Sequence, residues 1–576
     1  PERGGGPTVP PRPSARAPPP PGRAAPHRDR GGAGEPDRAR ERSRDRARDR
    51  DRERGRSTRA GRGAGSLTDR VFVGFDLVLV VLLGVLHALP TAYPRFWWVQ
   101  LLCVAGLAFR VSRASVGRAA LLGLVFGTAW LCMGTWWLYV SMHRYGGLSS
   151  VLSMLAVLGL SAFLSLYLAI AMGVFAAARR HRLWIDTLIF SGCWLLAELA
   201  RGWVLTGFPW AASGYAHVDS PLSALAPYLG VYGIGAVAAL VAAAPALGLR
   251  DPDQPGGVGA IGLAFSGVVL AGLAFVHFPT FTVPTGTLRL SLLQSNVPQN
   301  EKFSTEVIPQ NLEWAARQLV GARGDLVVAP ETIIPLLPEQ LPDAYWQPLQ
   351  RHFQRGNQAA LFGVPLGNAE TGYTNSAVGI SRDTVRAADG TYRYDKHHLV
   401  PFGEFIPAGF RWFTNLMNIP LGDFARGPLV AASFDVKGER VAPNICFEDL
   451  FGEELAARFA DEPVAPTVFA NLTNIGWFGD TIAVRQHLHI SRMRTLEFQR
   501  PMVRATNTGT TAVIDHTGRV THALEPFTQG VLEATVTGRR GLTPFAGWSS
   551  GAGLLPLVIA GLLPLLAAVV LRRRDG

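Results

Sequence analysis

Apolar residues come in long unbroken blocks up to about residue 278 and in short blocks after it. The long blocks occupy about 71–90, 96–110, 118–139, 150–178, 183–200, 222–249 and 258–278, and an eighth lies at about 551–571. A helix of about 20 apolar residues crosses a hydrocarbon layer about 30 Å thick, and most of the blocks approach that length. The blocks at 96–110 and 183–200 are short enough to be buried or re-entrant instead, so the count of about eight spans carries an error of one.

From Leu288 the pattern shifts to short β-rich runs divided by amphipathic or turn-rich segments. Leu288-Arg-Leu-Ser-Leu-Leu-Gln, Asp325-Leu-Val-Val-Ala-Pro, Ala359-Ala-Leu-Phe-Gly-Val, Val441-Ala-Pro-Asn-Ile-Cys and Pro466-Thr-Val-Phe-Ala-Asn read as buried strands. Helical stretches at about 305–321, 344–356 and 482–499 lie between them, which indicates an α/β domain with helices covering sheets. The chain divides into a tail over 1–66, a transmembrane domain of about seven helices over 67–280, the α/β domain over 281–545, and a final transmembrane helix with a basic end over 546–576.

Charge fixes an expected orientation. Arg110, Arg113 and Arg118 follow the second block, Arg179, Arg180 and Arg182 the fourth, Arg250 the sixth, and Arg572, Arg573 and Arg574 the last, whereas the opposite loops hold only Arg95, Arg144 and Arg201. Basic loops stay in the cytoplasm. Residues 279–550 should therefore face outward, away from the cytoplasm, with both termini cytoplasmic.

Mean hydropathy is positive (+0.17) although the N-terminal stretch is dominated by charge, Pro and Gly, which excludes a soluble protein of average composition. Much of the net charge of +12 comes from the stretch through Arg38, Arg42, Arg46, Arg50 and Arg54, interleaved with acidic residues. Such a segment cannot bury a core and is expected to be disordered. It can attract anionic headgroups or nucleic acid, or simply be solvated; the solvated reading is preferred and no nucleic-acid partner is expected.

Three predicted strand ends carry reactive groups: Glu331, Lys396 and Cys446. Strand ends are where an α/β sheet presents functional side chains without opening its core. Cys103, Cys132 and Cys193 fall in predicted spans, which leaves Cys446 without a disulfide partner in its own domain. Taken alone, a lone cysteine is most often a small buried hydrophobe. A carboxylate, an ammonium and a thiol together form a usable set for acyl transfer, because a thiol needs a base or a nearby cation to become an efficient nucleophile.

Ala329-Pro-Glu-Thr, Tyr394-Asp-Lys-His-His-Leu-Val-Pro-Phe-Gly-Glu, Asn444-Ile-Cys-Phe-Glu-Asp and Asn471-Leu-Thr-Asn-Ile-Gly-Trp-Phe-Gly occur in the order and approximate spacing of the nitrilase superfamily. With spans on both sides of that domain and the loop Arg201-Gly-Trp-Val-Leu-Thr-Gly-Phe-Pro-Trp, residues 70–572 resemble its membrane-embedded branch, the bacterial apolipoprotein N-acyltransferases. The resemblance implies an αββα sandwich beside the helical membrane domain. It also implies a thioester on Cys446, formed from a phospholipid acyl donor and resolved by the amino group of a diacylglyceryl-modified apolipoprotein. By resemblance Glu331 is the base, while Lys396, with backbone N–H groups near Phe447, stabilises the thiolate and the oxyanion. No cofactor is implied. Phe447 departs from the tyrosine of well-known relatives, and the neighbouring Glu448 matches.

Glu404, within the lysine motif, is expected to orient Lys396, with Asn375 and Glu448 as further supporting residues. Trp477 and Phe478 line an acyl pocket or pack the sheet edge. The apolar run Phe405–Phe424, with Trp412 and Phe413, is expected to be an arm that meets the bilayer. His397, His398, His487 and His489 lack the spacing and acidic or cysteine companions of a zinc site, so no metal is expected. A membrane-anchored hydrolase or amidase using water as acceptor remains the nearest alternative, and an inactive lipoprotein-binding scaffold a more distant one.

Overall fold

The computed structural model describes residues 74–250, 257–275, 280–414 and 423–575, so the expected tail over 1–66 lies outside the described residues. The membrane-type helices are α1 (Gly74–Ala92), α2 (Trp97–Val111), α3 (Val116–Thr135), α4 (Ser150–Ala178), α5 (Leu183–Trp203), α6 (Ala226–Gly248) and α7 (Gly257–Phe275). Among them α2, with 15 residues, is too short to be a full span by length, whereas α5 extends beyond the expected 183–200 and reaches spanning length. Close packing without a hydrophobic drive requires small residues at crossings. Gly123 of α3 illustrates this, since a Cβ there would meet the Leu168 carbonyl oxygen of α4 at 2.9 Å.

Six helix ends gather at one face through buried ion pairs. Asp76 of α1 pairs with Arg110 of α2 and Arg118 of α3, and Asp186 of α5 pairs with Arg250 beyond α6. Arg179, beyond α4, donates to the Val111 and Ser112 carbonyls at 2.9 and 2.6 Å, and Arg113 to that of Arg250. Arg179 and Arg113 thus bond backbone carbonyls at the ends of neighbouring helices that the bilayer could not satisfy.

The second half is a sandwich. In chain order it comprises β1 (Val283–Gln294), α8 (Ile308–Gly321), β2 (Leu326–Val328), α9 (Asp343–Arg355), β3 (Ala359–Asn368), β4 (Gly372–Ile380), β5 (Tyr392–Asp395), β6 (Phe434–Val436), β7 (Glu439–Ile445), β8 (Val468–Thr473), α10 (Ile482–Phe498), β9 (Met502–Thr506), β10 (Ala512–Ile514), β11 (Val520–Ala523) and β12 (Gly530–Arg540). Two mixed six-stranded sheets form, with strand orders β12-β1-β2-β3-β4-β5 and β11-β10-β9-β8-β7-β6.

The period of two in each strand sends alternate residues to opposite faces. Leu288, Leu290 and Leu292 of β1 meet Val468, Ala470 and Leu472 of β8 in the core between the sheets. Leu293, Val327 and Phe362 instead meet Leu312 and Leu319 of α8 and Phe353 of α9 on the outer face. On the other outer face lies α10, whose Ile490, Met493 and Leu496 join one apolar cluster with membrane-domain residues such as Leu195 and Val231. The expected layering of helix, sheet, sheet and helix is present, and its last helix layer is shared with the membrane domain. The chain ends in α11 (Pro544–Ala552) and α12 (Leu555–Asp575), which packs on α5 where Gly192 meets Gly561.

Candidate active site

Glu331, Lys396 and Cys446 each follow a strand, and the sandwich brings them to one place. Glu331 lies three residues past β2, where Pro330, which lacks an N–H, ends the ladder. The neighbouring strand carries Gly363, where a Cβ would meet Thr332 N at 2.3 Å and Glu331 Cα at 2.6 Å, so the Glu331 turn seats only on glycine. Lys396 continues β5, its N–H donating to the Asn375 carbonyl at 2.9 Å. Cys446 ends β7 and opens a 3-10 turn to Leu450 with φ +53°. A left-handed conformation costs a non-glycine residue about 1–2 kcal/mol, so the surroundings must hold it.

The polar groups interlock. Glu331 Oε1 accepts from Asn375 Nδ2 at 2.7 Å and from Lys396 Nζ at 3.4 Å, while its Oε2 accepts from the Asn474 backbone N–H at 2.8 Å. Glu404 Oε1 accepts from Lys396 Nζ at 2.9 Å and from Asn375 Nδ2 at 2.6 Å, and its Oε2 from the Val400 N–H at 2.8 Å. Lys396 is therefore shared by two carboxylates that Asn375 bridges. Glu448 binds the N–H groups of Ile445, His397 and His398 at 2.7, 2.7 and 3.2 Å and the Tyr394 hydroxyl at 2.8 Å, joining the cysteine turn to the lysine loop.

Electrostatics act strongly on Lys396 and Cys446. Burial opposes the Lys396 ammonium, but Glu404 and Glu331 outweigh it and hold the group above the usual lysine range. Burial pushes the Cys446 thiol up, Glu331 pushes it further, and Lys396 only partly opposes them. The resting sulfur is thus a thiol beside an ion pair, and a reaction at sulfur requires a base to take its proton.

Below Cys446 runs a polar circuit that the sequence reading did not assign. Arg504 of β9 donates from Nη2 to His487 Nδ1 at 2.9 Å, and His487 Nε2 lies 3.2 Å from the Cys446 carbonyl oxygen. Because arginine can only donate, the histidine proton sits on Nε2 and is donated to that carbonyl. Burial and the Arg504 charge hold His487 well below the ordinary histidine range, so it is neutral. Arg504 is itself bound by Ser491 and by Asp449 of the cysteine turn, at 3.4 Å for the latter, which closes the circuit.

Membrane-domain residues complete this support. The Trp210 ring stacks on His487 with centroids 5.7 Å apart. Trp137 and Trp210 both donate to Gln486 Oε1, at 3.0 and 2.9 Å. Trp210 is placed by Arg201, which donates to the Phe208 and Trp210 carbonyls at 3.0 and 2.9 Å and pairs with Glu198 at 3.3 Å. The buried Glu198 and the Arg201 loop thus serve one purpose.

Trp477 and Phe478 face the membrane domain, Phe478 against Trp137 at 4.2 Å and Trp477 against Tyr145 at 5.8 Å, so the sheet edge is not where they pack. Trp412 is exposed. The side chain of Phe413, and residues 415–422 of the expected arm, lie outside the described residues. The four histidines bond to separate partners: His397 to the Gly427 carbonyl, His398 to Glu454, His487 to Cys446 and His489 to the Ala92 carbonyl. Phe447 is buried between His398 and Phe451.

Residues 83–244 match the apolipoprotein N-acyltransferase N-terminal domain family and residues 289–544 the carbon-nitrogen hydrolase family. The chain is 51% identical over 495 residues to the apolipoprotein N-acyltransferase of Verminephrobacter eiseniae, covering 83% of this chain and 91% of that one. It is 45% identical over 508 residues to that of Ralstonia nicotianae, covering 87% and 94%, and 41% identical over 532 residues to that of Bordetella bronchiseptica, covering 85% and 96%. With both domain families matched in order and relatives aligned over nearly their full length, the chain belongs to the apolipoprotein N-acyltransferases, membrane enzymes of the carbon-nitrogen hydrolase superfamily.

Proposed function

We propose that this enzyme transfers an acyl chain from a phospholipid to the N-terminal amino group of the diacylglyceryl-cysteine of a lipoprotein, through a thioester on Cys446. Family membership supports lipoprotein N-acylation, and the observation that carries the residue assignment is the convergence of Glu331, Glu404 and Lys396 around the Cys446 turn. Glu331 takes the thiol proton as sulfur attacks the ester carbonyl, and returns it to the departing lysophospholipid alkoxide. The amine nitrogen then attacks the thioester, loses a proton to Glu331, and sulfur leaves and is reprotonated. Lys396 stabilises the oxyanion in both steps, as preorganised cations and donors do to the extent of ~3 kcal/mol each.

The arginine-bearing helix ends gathered at one face support an orientation with that face cytoplasmic and the catalytic domain periplasmic. Hydrolase chemistry is not favoured, because the related chains are N-acyltransferases. The test supplies purified enzyme with phospholipid vesicles and a diacylglyceryl lipopeptide. N-acylated lipopeptide with stoichiometric lysophospholipid supports transfer, whereas free fatty acid with an unmodified lipopeptide contradicts it.

A further inference from the structure

The chain meets its need for positive charge with 52 arginines and only three lysines, Lys302, Lys396 and Lys437. Lys437 is half exposed and paired with Asp325. The other two are buried, 5% and 1% exposed, and both contact Glu331. Arginine is a permanently charged fork, whereas lysine is a compact point charge that can lose its proton when buried. Lysine at these two positions, in a chain that otherwise uses arginine, marks places where a compact ammonium is wanted.

Lys302 lies in the segment after β1, where a turn closed by its own N–H to the Pro298 carbonyl precedes the exposed Phe303. Its Nζ donates to the backbone carbonyl of Glu331 at 2.9 Å. Among the described residues no carboxylate forms an ion pair with it, and its other two N–H groups have no acceptor. Next to it, Gln299 anchors Asn474, whose backbone N–H holds the Glu331 carboxylate. Glu331 and Cys446 are the charged or ionisable groups that act on Lys302, and both favour its ammonium; burial acts against it and prevails, bringing the pKa down to about 8.

We propose that Lys302 is a positioning residue of the acylation site, which fixes the Glu331 backbone and offsets the negative charge as it passes from the Glu331 carboxylate to the Cys446 sulfur. This rests on Cys446 being the acylated residue. The bonds made and broken are those of the thioester cycle, and Lys302 gives up no proton during it. Below about pH 8 the ammonium is present; as pH rises through that value the charge and its offset are lost.

The test uses the full-length enzyme in detergent with a small soluble thiol-reactive ester, following burst acylation of Cys446 from about pH 6 to 10. The wild-type rate should fall several-fold through about pH 8. Lys302→Arg, which keeps the charge, should lose that descending limb, and Lys302→Met should be slowed about tenfold at pH 7 with no inflection near 8. A Lys302→Met rate and profile equal to wild type, a Lys302→Arg variant that keeps the limb, or a wild-type profile with no limb would each overturn the proposal. If Lys302→Met fails to give a cooperative thermal melt, the Lys302→Arg profile decides. No burst in the wild type at any pH would instead contradict the thioester itself.

Discussion

A buried thiol held above its usual range is a poor nucleophile until a base removes its proton, and Glu331 is the carboxylate whose charge acts on it most strongly, ahead of Glu404. The thiol contributes reactivity and little packing volume. Cys446→Ala should therefore abolish acylation while the protein remains inserted and melts within a few degrees of wild type, as read by product formation and thermal unfolding. Glu331→Gln keeps the shape of the side chain but removes the base and replaces one accepting oxygen with a donor, so acylation should fall by about 10²–10⁴-fold. Both groups were legible in the sequence because each ends a run of buried residues inside a motif. Asn474 was not assigned a role, since it binds Glu331 through its backbone N–H. Lys302 was missed although the scarcity of lysine was a usable signal.

At the scale of elements, strands such as β2 and β8, buried on both faces, were read from their nearly continuous apolar runs, whereas β9 and β10, equally buried, were not. The sequence pattern did not reveal β11, whose residues are mostly exposed, or β12, where Leu532, Ala534 and Val536 face the core in alternation with Glu533, Thr535 and Thr537. The helix α10 was read correctly as a helix, but its role was hidden because its partners are distant in sequence. Gln486 takes hydrogen bonds from Trp137 and Trp210 while donating to Thr91 and the Gly134 carbonyl, and His487 supports the Cys446 carbonyl one residue later. One turn thus fastens the sandwich domain to the membrane domain and also supports the Cys446 turn. His487→Ala should slow acylation of Cys446 by a small soluble ester about tenfold, the value of one lost positioning hydrogen bond. Trp210→Leu should slow the same reaction although it lies in the membrane domain. Wild-type rates in both would show that α10 serves packing alone.

At the scale of the whole molecule, the apolar blocks and alternating arginines were legible because the bilayer imposes length and charge rules on every span. What they did not disclose is that the arginines at one face are also structural, tying helix ends together through Asp76 and Asp186. Reporter fusions after Arg250 and near Thr285 should give cytoplasmic and periplasmic signals respectively, and the same location for both would contradict the orientation. The most direct test of the central claim is intact-mass and peptide mass spectrometry of the enzyme incubated with phospholipid alone. The account predicts one hydroxylamine-sensitive acyl adduct on the Cys446 peptide, which disappears as its acyl group moves to an added lipopeptide amine. An enzyme that N-acylates the lipopeptide while Cys446 never carries an acyl group would contradict it.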